Sequence, residues 1–252
     1  FAYAEYVGPV NVQDIPGAGR GLVLTRDVEE GELLLFCRAI GSAYAKDPAC
    51  DGLPLLRCNP DVGVTSTTTQ VLAATRCIHA ILDRPELARI FLGLTAGPQT
   101  PCSRYVYEPY PLHKPAASDV LEPVYVSAHY VNNVLRFNAF GPAAVPAAEA
   151  GNDPMSRSTM PHPLPAILNH ACLPNVSSVF FGDFVTTRAL HPLPKGTQIM
   201  HQYVQGELPY DARQAQLSKH GFICTCRLCA LDVADGVEQR KRREEVFARD
   251  WP

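Results

Sequence analysis

The chain has 252 residues, 46% hydrophobic and 19% charged, with a formal net charge of −3. That length and balance suit one large domain or two modest ones with a buried core, and exclude a chain too polar to fold. The charge excludes the basic excess of a nucleic-acid surface, and no apolar run reaches the length of about 18 residues that marks a membrane span.

The chain opens on Phe1 rather than Met, as expected of a piece of a longer protein, so that targeting signals at the true N-terminus would not be visible. Residues 1–40 read as strands: "YVGPVNV" and "GLVLTRDVEEGELLLF" carry Val, Leu and Phe between turn residues, with Glu29-Glu30-Gly31-Glu32 as one turn. Gly17-Ala18-Gly19-Arg20-Gly21 is as glycine-rich as a phosphate loop. A strand follows it, however, so the helix N-terminus that would hold a phosphate is missing. These glycines are expected to let backbone come close to a ligand or to another strand.

Residues 41–64 are irregular, with Pro48, Pro54 and Pro60. Val71, Leu72, Thr75, Ile78 and Leu82 then recur at helical spacing. Pro85 suits the first turn of a second helix through Leu87, Ile90, Phe91 and Leu94, which Gly97-Pro98 ends. A proline-rich loop is expected over 98–123, a third helix over 124–137, and a long surface loop over 141–165. Strands return in "VSSVFFGDFVTTRAL", with Gly182-Asp183 as the hairpin turn, and in "TQIMHQYV". Pro209 to His220 reads as a helix, and "VEQRKRREEVFAR" at Val237 to Arg249 as a charged helix whose solvated face carries i,i+4 pairs. The class is mostly β with inserted helices.

Nine cysteines are an odd number, which an oxidised framework would leave unbalanced. Cys224-Thr225-Cys226-Arg227-Leu228-Cys229 is too crowded for disulfides and well suited to metal. A reducing, intracellular compartment, nuclear or cytoplasmic, is therefore expected. Cys37, Cys50, Cys58, Cys77 and Cys102 read as small buried hydrophobes. Zinc takes four ligands in a closed structural site, so three thiolates ask for a fourth from elsewhere. Cys172, in the turn "NHACLPN", is the preferred partner, with His220 and His170 as competitors.

Together these segments resemble the SET-domain protein lysine methyltransferases, and more narrowly the SET-and-MYND branch with its fungal tetratricopeptide-repeat relatives. The resemblance runs in order through "GAGRGLVLTRDVEEGELLL", "RFNAFG", "NHACLPN", "ALHPLPKGTQIMHQYV" and "LPYDARQAQLSKHGFICTCRLC". It implies a SET-domain β-clip fold with a helical insertion and a zinc-binding post-SET segment, the chain end being threaded under a loop. The parts would be the N-terminal part of the SET core at 1–40, the helical insertion and Pro-rich loop at 41–123, and the C-terminal part of the core at 124–208. The post-SET zinc segment would follow at 209–232 and the charged helix at 233–252. Neither a MYND module nor a tetratricopeptide repeat is visible.

By the same resemblance the cofactor is S-adenosylmethionine, the metal one Zn2+, and the substrate a lysine side chain of another protein, with a monomer acting and neither membrane nor nucleic acid bound. Tyr203 would be catalytic, its hydroxyl beside the transferring methyl. Gly19, Arg20, Gly21, Tyr130, Asn138, Asn169, His170, Tyr203 and Phe222 would border the cofactor. Cys172, Cys224, Cys226 and Cys229 would hold the metal and pin Phe222 over the pocket. Two departures stand out. Relatives commonly carry Gly-Glu-Glu-Leu-Thr where this chain has Gly196-Thr197-Gln198-Ile199-Met200, and an aromatic residue where it has His220-Gly221. A SET module that serves as a binding scaffold without catalysis is the competing expectation.

Overall fold

The computed structural model describes residues 6–45, 47–50, 56–59, 64–97, 126–141 and 158–250. Its strands are β1 (Tyr6–Val7), β2 (Val10–Ile15), β3 (Gly19–Leu24), β4 (Leu33–Arg38), β5 (Leu56–Asn59), β6 (Val64–Ser66), β7 (Ala139–Phe140), β8 (Met160–Pro161), β9 (Asn169–His170), β10 (Val176–Phe181), β11 (Phe184–Ala189) and β12 (Gln198–His201). Its helices are α1 (Thr68–Asp83), α2 (Leu87–Phe91), α3 (Ala128–Asn138), α4 (Tyr210–Leu217) and α5 (Arg227–Asp250). The chain divides into two compact units: Phe1–Gly8, Leu35–Ile167 and Val179–Thr187 form one, and Pro9–Leu34, Leu168–Ser178 and Arg188–Pro252 the other.

The first unit holds most of the sheet ordered β1-β4-β11-β10, and the helices α1 to α3. The turn Gly182-Asp183 closes the expected hairpin, with Gly182 at φ 53° matching the twist of a two-residue turn. Helix α1 starts where its residues dictate: the Thr67 hydroxyl accepts from Gln70 N while the Gln70 side chain accepts from Thr67 N, a reciprocal cap. The stripe that marks α1 in the sequence is not the one it buries. Ala73, Ala74, Cys77 and Ile81 are buried and Leu82 is exposed. Small residues there let neighbouring backbone come near: a Cβ on Gly41 would lie 2.5 Å from Cys77 N. Cys37 and Cys77 are buried as expected, while Cys50 is only half-buried.

The expected surface loop at 141–165 is corrected at its end. Residues 158–165 are buried, with Thr159 bridged to Ala43 and β8 paired antiparallel to β7. Proline content suggested a loop, but proline also suits a short extended pairing that asks nothing of its missing N–H. The expected loop at 98–123, the remainder at 142–157, Pro54, Pro60 and Cys102 lie outside the described residues.

The second unit is built on the sheet ordered β2-β3-β12-β9. β2 and β3 pair antiparallel from Val10 opposite Leu24 to Ile15 opposite Gly19. β12 lies antiparallel to β3, with Ile199 opposite Leu22, and parallel to β9, with Met200 opposite Asn169 and His201 opposite His170. Leu22, Leu24, Leu168 and Ile199 are its fully buried core. The chain then runs through α4 and a 3-10 turn at Ser218–His220 that ends at Gly221, φ 85°. Helix α5 begins at Arg227 rather than near Val237, inside the cysteine cluster, and breaks at Gly236 (φ 73°, ψ 178°). The charge pattern announced the helix beyond the break; the apolar and cysteine-bearing first part masked its start. Among the described residues no helix is long and apolar enough to cross a membrane.

Candidate metal centre and adjoining tyrosine

The site lies wholly in the second unit and grows from "NHACLPN". Its two asparagines are clamps. Asn169 Nδ2 donates to Arg20 O at 3.0 Å. Asn175 Nδ2 donates to Gln198 O at 2.9 Å, and its Oδ1 accepts from Met200 N at 2.7 Å. The turn between them is thus fastened to β3 and β12, and Cys172 is held fully buried at its centre. The Cys172 carbonyl accepts from Gln202 Nε2 at 2.8 Å. A Cβ on Gly206 would come within 2.3 Å of that carbonyl oxygen, so only glycine lets the chain pass there.

Cys172, Cys224, Cys226 and Cys229 bring their four sulfurs within 4.8 Å of one another. Cys172 Sγ lies 4.0 Å from Cys224 Sγ and 3.6 Å from Cys229 Sγ. A zinc–sulfur bond of about 2.3 Å gives a tetrahedron edge of about 3.8 Å, so the spacing fits a four-thiolate zinc. The thiols' chemistry points the same way. Burial, reinforced by the neighbouring sulfurs, pushes Cys172 far up and Cys224 up to about 11. Cys226 is raised by burial but brought down to about 7 by backbone N–H groups and neighbouring thiols. Packed thiols resist ionising together, and a cation bound among them would balance the thiolates.

His170, a competing ligand in the sequence, takes another part. Its Nδ1 accepts from Tyr203 N at 2.9 Å, which leaves the proton on Nε2, 3.3 Å from Cys172 Sγ. Burial first, then the His220 and Arg213 charges, lower its pKa to about 4, so the ring is neutral. It therefore offers an N–H to the sulfur and links the cysteine turn to Tyr203. His220, the other competitor, packs against the Tyr203 ring with centroids 5.1 Å apart.

Tyr203 stands beside this cluster. Its hydroxyl donates to Leu168 O at 2.8 Å, and burial raises its pKa to about 12, so it is a neutral phenol. The rings of His201 and Phe222 meet it edge-on, at 5.1 and 6.2 Å. With its proton committed to Leu168 O, the phenol oxygen turns its lone pairs elsewhere. Tyr203 and Phe222 both pack on the buried group formed by Cys172, Val204, Leu217, Cys224 and Cys229.

The model for the SET domain matches residues 19–204. This chain belongs to the SET-domain family. A protein named methyltransferase from Gibberella zeae is 22% identical over 260 residues, 97% of this chain and 34% of its own length. The mouse protein-lysine N-methyltransferase SMYD4 is 39% identical over 70 residues, 27% of this chain and 9% of its own. The solved SET domain of LSMT bound to MeLysine and AdoHcy covers 88% of this chain and 54% of its own, at 12% identity and a TM-score of 0.45. The chain spans about a third of the first relative and a smaller share of the second.

The second unit gathers Gly19, Arg20, Gly21, Asn169, His170, Cys172 and Tyr203 from the matched residues 19–204, and Phe222, Cys224, Cys226 and Cys229 from the segment after them. Tyr130 and Asn138 belong to the first unit. There the Tyr130 hydroxyl donates to Leu92 O at 3.1 Å, and Asn138 Nδ2 donates to Thr95 O and Val134 O, each at 2.7 Å. Sequence reasoning missed Asn175, Gln202, Gly206, Arg213 and Gln214. Asn175 was within reach as the second asparagine of the same heptapeptide; the others carry no local signal.

Proposed function

We propose that this SET domain is the catalytic module of an S-adenosylmethionine-dependent protein-lysine N-methyltransferase with one structural zinc on Cys172, Cys224, Cys226 and Cys229. The observation that carries it is that Tyr203 and Phe222 pack on the same buried group as the thiols. A metal there would fix the C-terminal segment beside the tyrosine. The residues suit a sulfonium donor: the Tyr203 oxygen, the Leu168 carbonyl and the rings of His201, His220 and Phe222 offer acceptors and π faces to a positive methyl–sulfur group. Bound there, the cofactor supplies an electrophilic methyl. The protein's part is to hold the acceptor amine in line, exclude water and keep the amine neutral, which a lysine with a solution pKa near 10.4 is not at pH 7. Neutral rings serve this. Burial lowers His201 to about 4 and lowers His220 as well, which favours the neutral ring in each.

Gly21, Arg20 and Asn169 on one side and Phe222 on the other are proposed to border the cofactor, and the compartment to be intracellular. The alternative, a scaffold role, is supported by the loss of the family's two acidic positions, filled here by Thr197 and Gln198; the Gln198 Nε2 is buried without a hydrogen-bond partner among the described residues. Calorimetry with S-adenosylhomocysteine separates the two readings. Catalysis requires a heat of binding, and its absence at high protein concentration leaves the scaffold. A peptide-array methylation assay with the wild type and Tyr203→Phe then tests the chemistry.

A further inference from the structure

The sulfur of Cys229 has two side-chain neighbours from α4. Gln214 Nε2 lies 3.3 Å from it and Arg213 Nη2 3.9 Å. Gln214 does more than touch the sulfur. Its Oε1 accepts from Cys224 N at 3.0 Å and its Nε2 donates to Cys224 O at 2.9 Å. The Cys224 N–H can only meet an acceptor, so the amide orientation is fixed by the network and Nε2–H is the group aimed at Cys229. One amide therefore holds the backbone of one cysteine and the sulfur of another in register.

Arg213 is 4% exposed and is itself firmly held. Its Nη1 donates to Gly206 O at 3.3 Å, the carbonyl of the glycine that passes over Cys172. Its Nη2 pairs with Asp232, a buried carboxylate of α5 that also takes Arg243 at 2.6 Å. Arg243 also pairs with Asp235, so these two arginines face two carboxylates. Arg213 is the member of this network that reaches the cluster, its Nη2 lying 3.9 Å from Cys229 Sγ, where four thiolates around a divalent ion would carry two net negative charges.

Resting on the zinc reading above, we propose that Gln214 and Arg213 are positioning residues for the metal centre. Gln214 orients the Cys229 thiolate by its N–H and by docking on Cys224, and Arg213 offsets the negative charge of the four-thiolate ion. N–H groups around a metal-bound ligand hold its direction and lower its electron donation, and their loss costs about 10- to 100-fold in metal affinity.

The test uses the whole chain with Zn2+, and Co2+ as its spectroscopic substitute, in wild type, Gln214→Met, Gln214→Glu, Arg213→Lys and Gln216→Met. Gln216 lies on the same helix and is exposed, so it is the control. Gln214→Met keeps the length and removes the N–H. Gln214→Glu is isosteric, keeps the acceptor for Cys224 N and sets a negative charge beside the thiolate. Competition with a chromophoric chelator should show zinc affinity lowered about 10- to 100-fold in both Gln214 variants, with Arg213→Lys closer to wild type and Gln216→Met unchanged. The thiolate-to-cobalt charge-transfer bands should shift in the Gln214 variants, which a merely structural residue would not cause. Wild-type affinity and bands in Gln214→Glu, or in Gln214→Met where it folds, overturn the proposal. Failure of the wild type to take up either metal overturns the zinc reading itself, and is distinct from any variant effect.

Discussion

Replacing Gly21 by alanine asks whether the glycine serves a ligand or a neighbouring strand. Gly21 is buried in β3, opposite Gln13, with no positive φ, so alanine meets no backbone strain there. It meets atoms: a Cβ would lie 2.5 Å from Gln198 Nε2, 2.7 Å from Ile15 Cγ1 and 3.0 Å from Asn169 Nδ2. All three are side-chain atoms that can yield, at the usual overpacking cost of about 1–3 kcal/mol. Displacing the Asn169 amide also breaks its bond to Arg20 O, about 1 kcal/mol more. A total of roughly 2–4 kcal/mol lowers Tm by roughly 4–16 °C in a chain of this size. Gly19→Ala is the counterpart. Gly19 has φ +69° with nothing within 4 Å, so it loses only the left-handed backbone preference, about 1–2 kcal/mol. Thermal unfolding and S-adenosylhomocysteine calorimetry on both variants decide the matter. If Gly21→Ala keeps the wild-type Tm and loses only ligand binding, the packing argument is refuted and the glycine exists for the ligand.

Tyr203→Phe removes the oxygen proposed to face the methyl group, and should cost about 100-fold or more in kcat/KM. Its stability cost should stay near 1 kcal/mol, because the Leu168 carbonyl also interacts with His201; equal losses of rate and fold would make Tyr203 a packing residue. Cys172→Ser should lower zinc from one ion per chain to a weakly held fraction, measured by native mass spectrometry, while a wild-type count of zero or two contradicts a single four-cysteine site. His162 is fully buried, and burial lowers its pKa from 6.5 to about 4. The unfolded chain therefore takes up a proton that the folded chain refuses, so stability present above pH 6.5 drains as the pH falls towards 4. The slope is about 1.4 kcal/mol per pH unit, roughly 3 kcal/mol in all. Urea unfolding at several pH values should show that slope reduced in His162→Gln; an unchanged slope removes His162 from the account.

What the sequence made legible follows from how far each signal reaches along the chain. The four-cysteine cluster was legible because three of its members are adjacent and chemically distinctive, and because the zinc reading of those three asks for a fourth. The hairpin at Gly182-Asp183 was legible because two residues determine the turn. The buried face of α1 was not. Hydrophobicity marked Leu82, but what packs is the stripe of Ala73, Ala74 and Cys77, chosen for closeness of approach rather than apolar area. Residues 158–165 were hidden for a related reason, since prolines spell loop in isolation and become core only once a partner strand exists. Arg213 and Gln214 stand at the far end of this scale. In the sequence they are polar residues of a helix with a mixed face, indistinguishable from Gln216. Their meaning arises only when α4 is laid against Cys224 and Cys229, which are brought back by a turn ending at Gly221. Ligands can thus be found by composition and spacing, whereas the groups that orient them are defined by tertiary placement alone. For that reason the Gln214 and Gln216 variants, alike in sequence terms and unlike in the fold, are the sharpest pair with which to test the site.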